Sequence, residues 1–164
     1  MATPWIDALA AQLAAEPAFG DCALRAATRA DEAMLFALHR AALREYVDAT
    51  WGWNEHWQQA HFAGHYAPTR NAVIVRGPEA ADIGRVSLSR HWRALFLRDI
   101  ELIASERNRG LGSAIVRAVL ALARAEHRPV ELFVLNCNPA RRLYSRLGFV
   151  IIGDDGARLT MRAN

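Results

Sequence analysis

From residue 110 onward, apolar positions fall at three- and four-residue spacing. Leu111, Ile115, Val119 and Leu122 share one face, while Arg117 and Arg124 point away. That period predicts a helix, and Pro129 requires it to have ended. The same period appears earlier. Thr3-Pro4 is a cap followed by a first-turn proline, and Trp5, Ala8, Leu9 and Leu13 continue it until Glu16-Pro17. Thr28-x-x-Asp31 resembles a capping box and opens a helix with Leu35, Leu38 and Ala42 on one face, running to about Val47. Trp51-Gly52-Trp53-Asn54 interrupts it, and a second helical segment runs to Tyr66.

Strand patterns fill the rest. Cys22 to Ala27 is short, and Val73-Ile74-Val75 is an apolar run closed by Gly77-Pro78. Ile83 to Ser89 alternates. In residues 94–103, Leu95 and Leu97 hold one phase while Ile100 and Leu102 hold the other, which predicts a bulge or kink near Arg98-Asp99. Val130 to Leu135 reads as a buried strand. Asn138-Pro139 opens a short helix that stops at Gly148, and Phe149–Ile152 and Leu159–Met161 flank the turn Gly153-Asp154-Asp155-Gly156. The predicted order is helix, strand, two helices, three strands, helix, strand, helix, two strands. One α/β domain with a mixed sheet accounts for it.

Composition narrows the field. With 52% hydrophobic and 23% charged residues the chain has the balance of a globular domain, and its 164 residues suffice for a substantial core. No run approaches the roughly 18 uncharged apolar residues of a membrane span. Asp7 and Glu16 interrupt the N-terminal apolar stretch, which has no basic region before it; this pattern makes a poor secretion signal and implies a cytoplasmic context. Cys22 and Cys137 have no metal spacing and read as two reduced thiols, although Cys137 adjoins a segment with chemistry. All 20 basic residues are arginine and the net charge is +3, without a basic block or aromatic stripe, so neither nucleic acid nor membrane is an expected partner.

Arg107-x-x-Gly110-x-Gly112 lies between a strand and a helix. A helix start offers unpaired N–H groups and positive dipole, and glycines let that backbone approach a pyrophosphate. Charge at a dipole gains only about 0.3–1 kcal/mol, so Arg107 and Arg109 matter as charge-assisted partners. The pattern is neither a dinucleotide fingerprint nor a P-loop, and alone it also fits an ordinary loop before a helix.

A second motif follows about 30 residues later: Asn138-Pro139-Ala140-Arg141-Arg142-Leu143-Tyr144-Ser145-Arg146-Leu147-Gly148-Phe149. With Arg107, Gly110 and Gly112, this resembles the GNAT superfamily of acetyl-CoA-dependent N-acetyltransferases, over residues 22–162. Ala104 stands where many relatives carry proline. The resemblance implies a single-domain, mixed, mostly antiparallel sheet flanked by helices over 21–164. Residues 1–20 fall outside it and read, from their own pattern, as an appended N-terminal helix that suits either covering the core or a homodimer contact. The resemblance also implies acetyl-CoA as cosubstrate, held by Arg107, Asn108, Arg109, Gly110, Leu111, Gly112 and Ser113, with Asn138 and Arg141 also contributing. Arg141, Arg142 and Arg146 could all reach the cofactor's phosphates, and a solvated helix face explains two of them equally well. Backbone N–H groups at Leu102 and Ile103 would hold the thioester carbonyl. No metal is expected: His61 and His65 stand four apart, but no third ligand is in sequence reach.

The implied reaction is direct attack by a primary amine of a small molecule or peptide. With an amine pKa of about 10.4, the neutral form costs about 4.6 kcal/mol at pH 7, which a base offsets in part. The resemblance gives Tyr144 the role of acid toward the leaving thiolate. Asp99 and Glu101 alternate with Ile100 and Leu102 and so share a sheet face; Glu101, nearer the thioester, is the expected base. Trp51, Trp53, Asn54 and Glu55, with Tyr46, suit an amine with an apolar part and equally suit a packed helix corner. The competing reading is a non-catalytic acyl-CoA-binding or regulatory module.

Overall fold

The computed structural model describes residues 3–164; Met1 and Ala2, the start of the expected 1–20 unit, lie outside the described residues. The elements follow the predicted order: α1 (Pro4–Leu13), β1 (Cys22–Ala26), α2 (Glu32–Trp51), α3 (Glu55–His65), β2 (Asn71–Arg76), β3 (Ala81–Arg90), β4 (Leu95–Leu102), α4 (Leu111–Ala125), β5 (Val130–Leu135), α5 (Ala140–Arg146), β6 (Val150–Asp154) and β7 (Arg158–Ala163). Helix α2 runs a turn past the expected Val47. It stops where Gly52 takes φ +81°, a conformation that other residues resist, with the Gly52 N–H returned to the Asp48 carbonyl at 3.0 Å.

The seven strands form one sheet in the order β1-β2-β3-β4-β5-β7-β6. Every neighbouring pair is antiparallel except β4 and β5, so the sheet is mixed and mostly antiparallel. The phase switch foreseen in β4 is a bulge. Leu97 pairs with Leu88 and Asp99 with Ser87, leaving Arg98 as the extra residue. Below the bulge β4 pairs with β5 through Leu95, Phe96 and Leu97; above it the described pairing ends. The strands therefore part from Arg98 onward, and a gap opens in mid-sheet.

Helices cover both faces. The larger core joins Trp5, Ile6, Leu9 and Leu13 of α1 to Leu111, Ile115, Val119 and Leu122 of α4 and to Ile74, Val86, Leu97 and Leu132 of the sheet. Helix α1 is therefore part of this core. Its Trp5 Nε1 donates to the Thr69 carbonyl at 2.9 Å, and Arg117 of α4 grips Glu16 just beyond its end. On the other face, Leu35 and Leu38 of α2 pack on Val73 and Val75, with Phe62 and Tyr66 alongside. No described helix is long and apolar enough to cross a membrane.

Candidate active site

The parting of β4 from β5 leaves backbone groups without a strand partner. The Ile103 N–H bonds the Ile83 carbonyl at 2.9 Å, and residues of an antiparallel strand alternate in the direction their amides face. The Leu102 amide therefore faces away from β3, toward the gap. Its carbonyl does the same and accepts Arg107 Nε at 2.9 Å. Of the two amides expected to hold a thioester carbonyl, Leu102 is free to do so, whereas Ile103 is committed to β3 and its residue lies outside the cleft.

Around the gap lies a cleft of about 820 Å³. One wall holds Ile100, Glu101 and Leu102; another holds Arg107, Asn108, Gly110, Gly112 and Ser113 at the start of α4; a third holds Asn138, Ala140, Arg142, Tyr144 and Arg146. Gly110 sits at φ +86°, and Asn108 is also left-handed at φ +58°; together they turn the chain so that α4 begins at the cleft. Asn138 Oδ1 accepts the Ala140 N–H at 2.9 Å and caps α5.

Besides Ile103, three expected cofactor contacts fall elsewhere. Leu111 is sealed in the core, Arg109 reaches the Glu106 carboxylate at 3.6 Å, and Arg141 lies off the cleft. The cations on the α5 wall are Arg142 and Arg146, which have no ion-pair partner among the described residues. Both are among the three arginines that the sequence offers to the phosphates, and their spacing of four marks one helix face.

Tyr144 lies deep in the cleft wall, its ring 5.7 Å from Phe149, and its hydroxyl has no partner among the described residues. Burial, then the charges of Asp99 and Glu101, push its pKa up to about 12, so it stays protonated at neutral pH.

Glu101 is buried, opposite Arg85 on β3. Arg85 Nε donates to Oε2 at 2.6 Å and Nη2 to Oε1 at 3.1 Å, while His39 Nδ1 lies 2.7 Å from Oε1. Burial opposes the charge, but Arg85 and His39 outweigh it and hold the carboxyl well below the usual range. Arg85 also reaches Asp99 at 3.1 Å. Asp99 and Glu101 do share a face, as their alternation predicts. A carboxylate so firmly ionised and so fully bonded is a poor proton acceptor, so the expectation that Glu101 takes the amine's proton directly does not fit this geometry.

A second cavity, of about 170 Å³, lies on the α2–α3 face beside this cluster. His39, His61, Phe62, His65, Arg98 and Asp99 are among its walls. Trp51, Trp53, Asn54 and Glu55 line neither cavity. Asn54 Oδ1 caps α3 by accepting the Trp57 N–H at 2.9 Å, Trp53 Nε1 donates to Glu55 at 2.7 Å, and Glu55 pairs with Arg40 at 2.8 Å. These residues form a hydrogen-bonded helix corner that is largely exposed, with only Trp53 half-buried and Trp51 standing out at its edge. Of that group only Tyr46 reaches the larger cleft. The His61 and His65 rings lie 4.2 Å apart and tilted at 34°, with His65 Nδ1 2.8 Å from the His61 carbonyl.

Residues 34–149 match the family model described as the acetyltransferase (GNAT) family. The chain belongs to this family. The GNAT fold is also found in solved structures. The PaiA N-acetyltransferase of Thermoplasma acidophilum, crystallised in complex with coenzyme A, is 14% identical over 87% of this chain and 98% of that one, with a TM-score of 0.67. Ard1 of Thermoplasma volcanium is 19% identical over 87% and 96%, with a TM-score of 0.58. A GNAT-family acetyltransferase of Listeria monocytogenes is 15% identical over 86% and 93%, with a TM-score of 0.60. No curated protein matches the chain significantly in sequence.

Proposed function

We propose that this GNAT-family protein transfers an acetyl group from acetyl-CoA to a primary amine of a small molecule or peptide, by direct attack of the amine. The observation that carries the reading is the parted β4–β5 gap, which joins an unpaired strand amide, a helix start and a protonated tyrosine in one cleft. The thioester carbonyl would accept from the Leu102 N–H, a fixed dipole that strengthens as the oxygen gains charge. The pyrophosphate would lie on the Gly110–Ser113 backbone, with Arg142 and Arg146 as charge-assisted partners. The coenzyme A bound to the Thermoplasma PaiA relative is consistent with this use of the cleft.

Tyr144 would donate to the sulfur as the C–S bond breaks. Burial that raises the tyrosine pKa also raises that of a thiolate forming beside it, which keeps donor and acceptor matched. The test is release of free thiol from acetyl-CoA with a panel of benzylamine, tyramine, spermidine, free amino acids and a short peptide amide. Tyr144→Phe should lower kcat at least about a hundredfold and leave KM for acetyl-CoA nearly unchanged. Tight binding of acetyl-CoA without thiol release for any amine would point instead to a non-catalytic acyl-CoA-binding module.

A further inference from the structure

Resting on the transferase reading, we propose that His39 takes the proton from the acceptor amine, and that Glu101 is the residue that positions it. His39 stands on α2 and lines the smaller cavity, while Glu101, 2.7 Å from its Nδ1, lies in the wall of the larger cleft. The pair therefore links the two spaces. Glu101 is held ionised by the two N–H donors of Arg85, and an ionised carboxylate only accepts hydrogen bonds. The proton shared with it belongs to Nδ1. Arg85 Nη2, itself a donor, would favour a lone pair on the same nitrogen, but it stands 3.4 Å away, and the 2.7 Å contact to the ionised carboxylate outweighs it. The lone pair is left on Nε2, which has no hydrogen-bond partner among the described residues.

Charged and titratable groups surround the ring. The groups facing His39 are Glu101 and Asp99 from β4, Arg85 from β3 and His61 from α3, with Arg98 and Tyr66 farther along the cavity wall. Asp99 and Glu101 both reach the buried Arg85 guanidinium, and this ion cluster borders the ring. The Phe62 ring, 5.4 Å from that of His39, limits its rotation. His39, Asp99 and Glu101 also offer three oxygen and nitrogen atoms within 4.8 Å of one another, a spacing a metal could use. Arg85 already supplies the positive charge between the two carboxylates, at 3.1 Å from Asp99 and 2.6 Å from Glu101.

The step balances without a further reagent. The neutral amine nitrogen attacks the thioester carbon, an N–C bond forms and the C–S bond breaks. One proton leaves nitrogen for His39 Nε2 and passes to solvent. The sulfur gains one through Tyr144, which solvent reprotonates, so amine and thioester become amide and thiol.

His39→Asn tests this, because its amide can still donate to Glu101 but carries no basic nitrogen. With the panel amine that wild type uses best, kcat/KM should fall about a hundredfold or more. KM for acetyl-CoA should hold, the acid limb of the pH–rate profile should flatten, and added imidazole should restore part of the rate. Should His39→Asn fail to fold, His39→Gln under the same assay and imidazole rescue takes its place. A wild-type rate and pH profile in the folded variant would overturn the role of His39 alone. Absence of thiol release by wild type across the whole panel would overturn the transferase reading together with it.

Discussion

Gly84 is where the fold and the candidate chemistry meet. It pairs with Leu102 across β3 and β4. A Cβ at this position would stand 2.5 Å from the Glu101 carbonyl oxygen, 2.7 Å from Leu102 Cδ2 and 3.2 Å from Ile74 Cδ1. The first contact is with backbone and cannot be relieved by turning a side chain. Overpacking of this kind costs about 1–3 kcal/mol, and the stiffer unfolded chain of alanine returns about 0.4–1 kcal/mol. Gly84→Ala should therefore lose about 1–2 kcal/mol, read as a lower urea midpoint at an unchanged slope. Relief requires β4 to move at Glu101 and Leu102, which carry the gap amide and the carboxylate beside His39. The rate of thiol release should then fall at least about tenfold, since small misplacements of reacting groups are costly. Gly64 in α3, where a Cβ meets nothing within 4 Å, is the control: Gly64→Ala should gain up to about 1 kcal/mol. If Gly84→Ala kept both the wild-type midpoint and the wild-type rate, the close β3–β4 approach would not be a constraint, and the reasoning would fail.

Gly112→Ala gives the opposite separation. Its Cβ meets only Leu143 Cδ2 at 3.7 Å, so stability should hold or rise by up to about 1 kcal/mol, while KM for acetyl-CoA rises severalfold because the methyl enters the cleft. Leu9→Ala should cost about 2–5 kcal/mol by urea unfolding, since Leu9 is fully buried between α1 and the main core; a loss below about 1 kcal/mol would mean that α1 is only loosely docked. Asp31 is held at about 2, against 3.8 for a free carboxyl, chiefly by hydrogen bonds from Arg25. Its depressed value adds stability above pH 3.8 that is lost as pH falls toward 2. Urea midpoints measured from pH 5 to pH 2 should fall more steeply in wild type than in Asp31→Asn, and parallel curves would count against the pairing.

Much of the architecture was legible because local periodicity carries it. The α4 face, the Val130–Leu135 strand and the β4 bulge all follow from where apolar residues fall. The end of α2 was less legible: a helix can run through half-buried Thr50 and exposed Trp51, and only Gly52 stops it. The candidate site divides along the same line. The glycine turn and the Asn138–Phe149 segment are contiguous, and both border the cleft. Position next to the motif brings Arg141, Arg142 and Arg146 alike near the phosphates, but a helix sets contacts by face, and of the three only Arg142 and Arg146 border the cleft. Trp51 to Glu55 combine aromatic and acidic character that suits a ligand pocket or a helix corner equally well, and their hydrogen bonds go to the corner.

The sequence by itself determined the order of elements, the break of phase at Arg98 and the two motifs around Gly110 and Tyr144, since each depends on residues within a few turns of one another. Tertiary structure alone decided what those features enclose. Whether the Leu102 amide is free depends on β5 leaving β4, and β5 is separated from it by the whole of α4. The state of Glu101 depends on Arg85 across the sheet and on His39 from a helix 62 positions away. A charge is strengthened or silenced by what lies within a few ångströms, and chain position does not encode that distance.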